Sequence, residues 1–260
     1  MMMLEVDGLS VRYGRLTALR GISLKVDEGQ IVCIIGPNGA GKSTTLAAIA
    51  GGVGIQSGTV RWRNQVISGL VPEAISRLGL ALVPEGRRVF STLSVEENLL
   101  VGTYQRRDRA ASSKDLQRAL ELFPGLRQRI RQPAGRLSGG EQQMLVICRA
   151  LLTNARLLMM DEPSLGLAPM IIDQVYEMLL DLRRRNGLTL LINEQSSERI
   201  LEFADHVYVL RNGEIQLSDS AANLQDGKAI ESAYFGFDAR ASNLDLAVGA
   251  THGRVHPELR

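Results

Sequence analysis

The sequence is short of cysteine and of long apolar runs, and each shortage removes a class of protein. Only two of its 260 residues are cysteine. Cys33 sits in IVCII and Cys148 in LVICRA, apolar settings that read as buried thiols rather than a disulfide or metal site. No apolar run reaches the roughly 18–20 residues needed to cross a bilayer, so work at a membrane would need partners that supply the spans. The opening MMMLEVDG has no basic segment leading into an apolar stretch. No secretory signal is therefore expected, and the chain is expected in the cytoplasm. A formal net charge of +2 is too small to indicate a nucleic acid or a membrane, and no nucleic-acid partner is expected. What is present is ordinary: 45% apolar and 22% charged residues, close to globular averages and enough for one large α/β core with or without a small subdomain.

The pattern along the chain changes twice. Leu4–Val11 and Ile22–Val26 alternate with period two, as half-buried antiparallel strands do. Ile31–Ile35 is apolar throughout, which predicts a strand covered on both faces, and Lys42–Ala50 reads as a helix ended by Gly51 and Gly52. From residue 94 to 153 the patterns are helical (95–104, 115–122 and 138–153), which predicts a helical insertion. Strand and helix then alternate over 157–160, 170–185, 188–192, 196–204 and 207–210, the order of a parallel sheet with crossover helices. Residues 211–214, RNGE, read as a tight hairpin turn. Beyond Phe237 periodicity fades and a mobile tail, 237–260, is expected.

The chemistry is concentrated in three segments. Gly36-Pro37-Asn38-Gly39-Ala40-Gly41-Lys42-Ser43-Thr44 is a phosphate loop between a strand and a helix. Its glycines let backbone N–H groups turn inward around phosphate oxygens, and the helix N-terminus adds positive potential. In this pattern Lys42 reaches the β- and γ-phosphates and the Ser43 hydroxyl ligates Mg²⁺. Residues 157–162, LLMMDE, form an apolar strand that ends in carboxylates. Asp161 would lie beside the metal, with Glu162 placed to polarise a water aimed at the γ-phosphate. Just before that strand comes LSGGEQ. Ser138 and Glu141 make a capping box there, while Gly139 and Gly140 would let a phosphate approach the helix start.

The phosphate loop, the LSGGEQ signature and the acidic strand end, in this order, resemble the ATP-binding-cassette (ABC) ATPases over roughly residues 3–236. The resemblance implies an α/β P-loop NTPase (RecA-like) core with an antiparallel β subdomain and a helical insertion at about 94–153. It implies ATP and Mg²⁺ as ligands, and two nucleotides sandwiched between two such subunits, identical or not, with each signature helix completing the other chain's site. It implies that Tyr13 stacks on adenine; the lesser alternative is a core tyrosine, since aromatic faces also pack well in sheets. Glu85 stands where most members carry the Gln that senses Mg²⁺, Gln195 where most carry a switch His, and Ala168 where an Asp is usual. The stretches VPEGRRVF (83–90) and DEPSLGLAP (161–169) are similar to one branch, the shorter ATP-binding subunit of branched-chain amino-acid importers, with urea importers close by. In that branch Glu85 and Gln195 are usual, whereas Asn193 and Ser196 depart from it. Gln195 can hydrogen-bond a γ-phosphate but cannot change charge near neutral pH as imidazole can.

The branch implies two transmembrane permease subunits, a second ATP-binding subunit, an extracytoplasmic substrate-binding protein, and a peripheral site on the cytoplasmic face of the inner membrane. Docking to the permease is expected near Glu85–Phe90 and the helical insertion. Residues 105–136 hold nine Lys/Arg and three Asp/Glu. That run reads as a solvated face, or more sharply as one that meets anionic lipid through Arg106, Arg107 and Arg109. Two other readings remain: a soluble ABC ATPase, which typically has two cassettes or a long coiled coil, and a non-catalytic assembly subunit, against which Glu162 argues.

Overall fold

The structure, a computed structural model, describes residues 1–106, 108–195 and 199–235. Ser196 and the expected tail from 237 lie outside the described residues. In order the elements are β1 (Met2–Tyr13), β2 (Leu16–Asp27), β3 (Ile31–Ile35), α1 (Lys42–Ile49), β4 (Ser57–Trp62), β5 (Gln65–Val66), α2 (Pro72–Arg77) and β6 (Leu80–Val83). Four helices follow, α3 (Val95–Thr103), α4 (Arg109–Leu122), α5 (Pro124–Gln128) and α6 (Gly139–Leu151). The chain then returns to alternation with β7 (Leu157–Asp161), α7 (Pro169–Asn186), β8 (Thr189–Glu194), β9 (His206–Arg211), β10 (Glu214–Ser220) and α8 (Lys228–Phe235).

Two sheets result. One is antiparallel, in the order β2-β1-β4-β5, and the other runs β10-β9-β3-β8-β7-β6. In the second sheet β9, β3, β8, β7 and β6 are parallel, and β10 joins the edge antiparallel through the Asn212–Gly213 hairpin. The predicted helix over 196–204 is not found where it is described: Ile200–Glu202 is a short 3₁₀ turn.

The uniformly apolar strands supply two cores at once. Successive side chains of a strand point to opposite faces. Val32 and Ile34 of β3 therefore join the core between the sheets and α1, while Ile31, Cys33 and Ile35 join the core under α6 and α7. β7 divides the same way, with Leu157 and Met159 on the α1 side and Leu158 and Met160 on the other. Each buried side chain of this size contributes about 1.5–3 kcal/mol, so a continuous apolar strand fastens both layers. Trp62, 4% exposed, closes the seam between the sheets, and its Nε1 donates to Leu78 O at 3.1 Å.

The helical insertion has a core of its own, built from Val95, Leu99, Phe123, Leu126, Leu145 and Cys148 among others. α3 and α6 both start on a full capping box, Ser94 with Glu97 and Ser138 with Glu141, which satisfies two orphan N–H groups at each helix start. The basic run before α4 is not an open cationic face at Arg106. That side chain is 7% exposed and bridges Asp108 at 2.7 Å and Asp115 at 2.7 Å. Local carboxylates therefore neutralise it, and it is not available to lipid; Arg107 and the Arg109 side chain lie outside the described residues.

Candidate active site

The parallel strands deliver the site from their C-terminal ends, where ligands bind in open α/β sheets. β3 leads into the phosphate loop, β6 into Glu85, β7 into Asp161 and Glu162, and β8 into Gln195. The loop's turn into α1 passes through Gly41 at φ 110, and no side chain caps the helix there. A Cβ on Gly41 would come within 2.9 Å of Ala18 O, so glycine is required for conformation and for space. Gly213 of the β9–β10 hairpin braces the loop from outside by donating to Ala40 O at 2.9 Å.

Around this loop lies a cavity of about 1050 Å³ lined by Tyr13, Asn38, Gly39, Gly41, Lys42, Ser43, Thr44, Glu85, Glu162 and Gln195. The structure thus brings together most of the residues that the motifs and the resemblance single out. Gly36, Pro37 and Ala40 belong to the loop behind them. Arg20, Thr17, Asn212 and Glu214 also face the cavity; nothing in their local sequence marks them, because the fold of the β1–β2 and β9–β10 hairpins brings them there. Tyr13 is half exposed, an orientation that suits a stacking surface better than a core tyrosine.

Lys42 is 4% exposed and fully engaged. Its Nζ donates to Gly36 O at 2.8 Å and Pro37 O at 3.3 Å, and it pairs with Glu162 Oε1 at 3.1 Å. Glu162 follows the last residue of β7 in the left-handed region, φ 48, a conformation that costs an L-residue about 1–2 kcal/mol. Its N–H donates to Asn193 O at 3.0 Å. This turn swings the second carboxylate off the strand and over the phosphate loop. Across the cavity the Gln195 Nε2 donates to Asn38 Oδ1, so the residue at the switch position holds the loop directly.

Behind Gln195 is a buried node that sequence reasoning missed. Glu194, 5% exposed, accepts from Tyr176 OH at 2.6 Å and from Ser164 N at 3.1 Å. Burial pushes the Glu194 carboxyl above the ordinary range, more strongly than these hydrogen bonds pull it down, and the nearby Glu162 charge adds to the rise. Burial likewise drives the Tyr176 phenol far up, with the Glu194 charge next in effect. The node ties the loop after Asp161 to the strand end that carries Gln195.

The signature segment does not line the phosphate cavity of its own chain. The Ser138 hydroxyl donates to Glu141 Oε2 at 2.8 Å and accepts from Glu141 N at 3.3 Å. Arg129 pairs with the same Glu141 carboxylate at 2.7 Å. Burial works to raise the Glu141 pKa, but the Ser138 N–H and hydroxyl, with Arg129, leave it lowered. The two glycines also meet neighbours within the chain. A Cβ on Gly139 would lie 2.5 Å from Arg87 Nη1, and one on Gly140 would lie 2.6 Å from Ile171. Arg87 donates to Gly166 O at 3.0 Å, so one guanidinium spans the signature helix and the loop after Asp161.

Between these parts is a smaller cavity of about 350 Å³, lined by Glu85, Arg87, Gln142, Gln143, Asp161 and Glu162 among others. Ser43, Glu85 and Asp161 offer a hydroxyl and carboxylates, the hard oxygen donors that suit Mg²⁺, which needs only one or two carboxylates beside phosphates and waters. The segment from Glu85 to Phe90 is anchored at its far end. Asn98 accepts from Phe90 N at 2.9 Å, and Arg149 donates to Arg88 O at 2.7 Å while lying 4.9 Å from the Phe90 ring centre.

The family model described as ABC transporter matches residues 19–165. The high-affinity branched-chain amino acid transport ATP-binding protein BraG of Pseudomonas aeruginosa is 46% identical over 90% of this chain and 100% of its own length. BraF, a second protein of that description from the same organism, is 31% identical over 90% of this chain and 97% of itself. An ATP-binding cassette of an ABC transporter, solved in its ADP conformation, superposes with a TM-score of 0.81 at 29% identity, covering 91% of this chain and all of that one. The chain is thus similar to these proteins along nearly their whole length, and it belongs to the ABC transporter family.

Proposed function

We propose that this chain is the ATP-binding and ATP-hydrolysing subunit of an importer for branched-chain amino acids. The observation that carries this reading is the end-to-end likeness to BraG, which covers all of that protein. The 46% identity to BraG against 31% to BraF favours a paralogous second ATP-binding subunit as the natural partner. Two permease subunits and an extracytoplasmic substrate-binding protein complete the assembly, with this chain peripheral on the cytoplasmic face of the membrane. Among the described residues no helix is long and apolar enough to cross a bilayer, so the permease supplies the spans. The surface near Glu85–Phe90 and the helical insertion is where it docks.

The chemistry is positioning and electrostatics. Tyr13 stacks on adenine, and the loop from Gly36 to Thr44 wraps the phosphates. Lys42 leaves Glu162 for the β- and γ-phosphate oxygens. Glu162, no longer neutralised by that lysine, orients and polarises the attacking water. Gln195 exchanges its bond to Asn38 for the γ-phosphate. Ser43, Asp161 and Glu85 would hold Mg²⁺, which when bound would neutralise phosphate charge. Ser138, Gly139, Gly140 and Glu141 act on the nucleotide of the facing subunit; the Ser138 hydroxyl changes partner from Glu141 to phosphate when the dimer closes.

Deleting the gene and measuring uptake of radiolabelled leucine, isoleucine, valine and urea tests the reading. Loss of uptake of the three amino acids with urea unaffected is the expected outcome. Loss of urea uptake alone would move the protein to the neighbouring branch, and no transport defect would point to an ABC ATPase outside transport.

A further inference from the structure

Strand β8 carries one uncharged amide on the same face as Thr189 and Leu191. Leu191 on that face belongs to the core under α1, and the next residue on the same side is Asn193, which is 0% exposed. Its partner across the parallel ladder is Asp161. Asn193 Nδ2 donates to Asp161 Oδ1 at 3.0 Å, and the Asn193 backbone carbonyl accepts from Glu162 N at 3.0 Å. One residue thus grips both members of the acidic pair, the first by its side chain and the second by its backbone.

The grip has an uncompensated side. Asn193 Oδ1 is buried with no hydrogen-bond partner. A buried polar atom left unpaired destabilises a fold, so this amide is not accounted for by packing. A side chain that weakens the core yet bonds a carboxylate of the site is explained by what it does to that carboxylate. An unrestrained aspartate can turn about its side-chain bonds. Asp161 cannot turn freely while Oδ1 is held, and it faces the cavity shared with Glu85 and Glu162.

We propose that Asn193 is a positioning residue for magnesium–nucleotide binding, holding the Asp161 carboxylate in the orientation the metal requires. This rests on the ATPase reading above. The test uses the full chain, a fluorescent methylanthraniloyl-ADP and a magnesium titration, so that neither hydrolysis nor ATP-driven dimerisation intervenes. Asn193→Val removes the amide at nearly constant volume. Asn193→Thr has the same shape but restores a hydroxyl that can donate to Asp161.

Partners that orient a metal ligand are worth about 10–100-fold in metal affinity. Asn193→Val is accordingly expected to raise the magnesium concentration for half-maximal tightening about tenfold, with Asn193→Thr recovering most of the loss. Nucleotide affinity in EDTA stays at the parent value in both variants. An unchanged magnesium dependence in Asn193→Val would overturn the proposal. So would a valine variant whose nucleotide affinity falls as far in EDTA as in magnesium, because the amide would then serve the fold of the site rather than the metal. A parent protein that binds no nucleotide, or binds it equally with and without magnesium, would instead overturn the ATPase reading on which the proposal stands.

Discussion

Replacing Glu162 by Gln changes two observables in opposite directions, and the geometry sets the size of each. Lys42 is held by Gly36 O at 2.8 Å, Pro37 O at 3.3 Å and the Glu162 carboxylate at 3.1 Å. Both ionic side chains are largely shielded, at 4% and 8% exposure, so solvent weakens the pair little. A hydrogen bond to a charged group contributes about 1.5–3 kcal/mol; Gln keeps such a bond to the ammonium but loses the attraction of opposite charges. The Gln variant therefore holds Lys42 less tightly by about 1 kcal/mol, which is about a fivefold gain in ADP affinity. ATP gains more, because the lost carboxylate no longer repels the γ-phosphate. Turnover moves the other way. Loss of a general base costs about 10²–10⁴ in rate, so the variant accumulates as an ATP-bound closed dimer. Calorimetric titration with ADP, phosphate release in single turnover and gel filtration with ATP measure the three effects. Parent-level turnover would remove Glu162 from the chemistry, and ADP affinity equal to or below the parent's would show that Lys42 is not restrained by it.

Glu194→Gln keeps an acceptor for Tyr176 and Ser164 but cannot ionise. Because burial raises the folded pKa of Glu194, the folded state holds its proton to higher pH than the unfolded state. Stability from this group therefore falls as pH rises from the unfolded carboxylate value of about 4.3 toward the raised folded one. The Gln variant's stability relative to the parent is expected to improve between acid and neutral pH in urea melts, and a difference that stays flat with pH would refute this. Tyr13→Ala removes a half-exposed ring from the cavity wall. Stacking on a base contributes about 1–3 kcal/mol, so ATP is expected to bind about tenfold more weakly with little change in melting temperature. Tyr13→Trp is expected to bind as the parent does, and an ATP affinity that ignores both changes would remove the ring from the site.

What the sequence makes legible is what lies close together along it. The phosphate loop, the capping box at Ser138 and the five-residue apolar strands are contiguous, and each reads correctly because its physics is local. β5 spans two residues and α2 six, too few for any periodicity to declare itself. The stretch expected to be one helix over 196–204 contains Ile200 and Phe203, whose burial is decided by the core they meet rather than by a helical face. The contacts that shape the site are longer in range. Asp161 meets Asn193 only through the pairing of β7 with β8, a register that no local pattern specifies. Arg87 lies against Gly139 from 52 positions away, so the glycines of the signature read as room for phosphate when each also clears a neighbour in its own chain. Arg106 counts as one more cation in composition, yet the turn into α4 brings Asp115 back against it.

Trp62 gives this arrangement an optical consequence. It is the sole tryptophan of the chain, sealed where the antiparallel sheet meets the parallel one, with its indole N–H bonded to Leu78 O. It is not among the residues that line the phosphate cavity. The protein thus carries its single tryptophan on the seam between its two sheets, selectively excited at the red edge of protein absorption. Its emission follows the parting of that seam and is nearly blind to nucleotide coming and going.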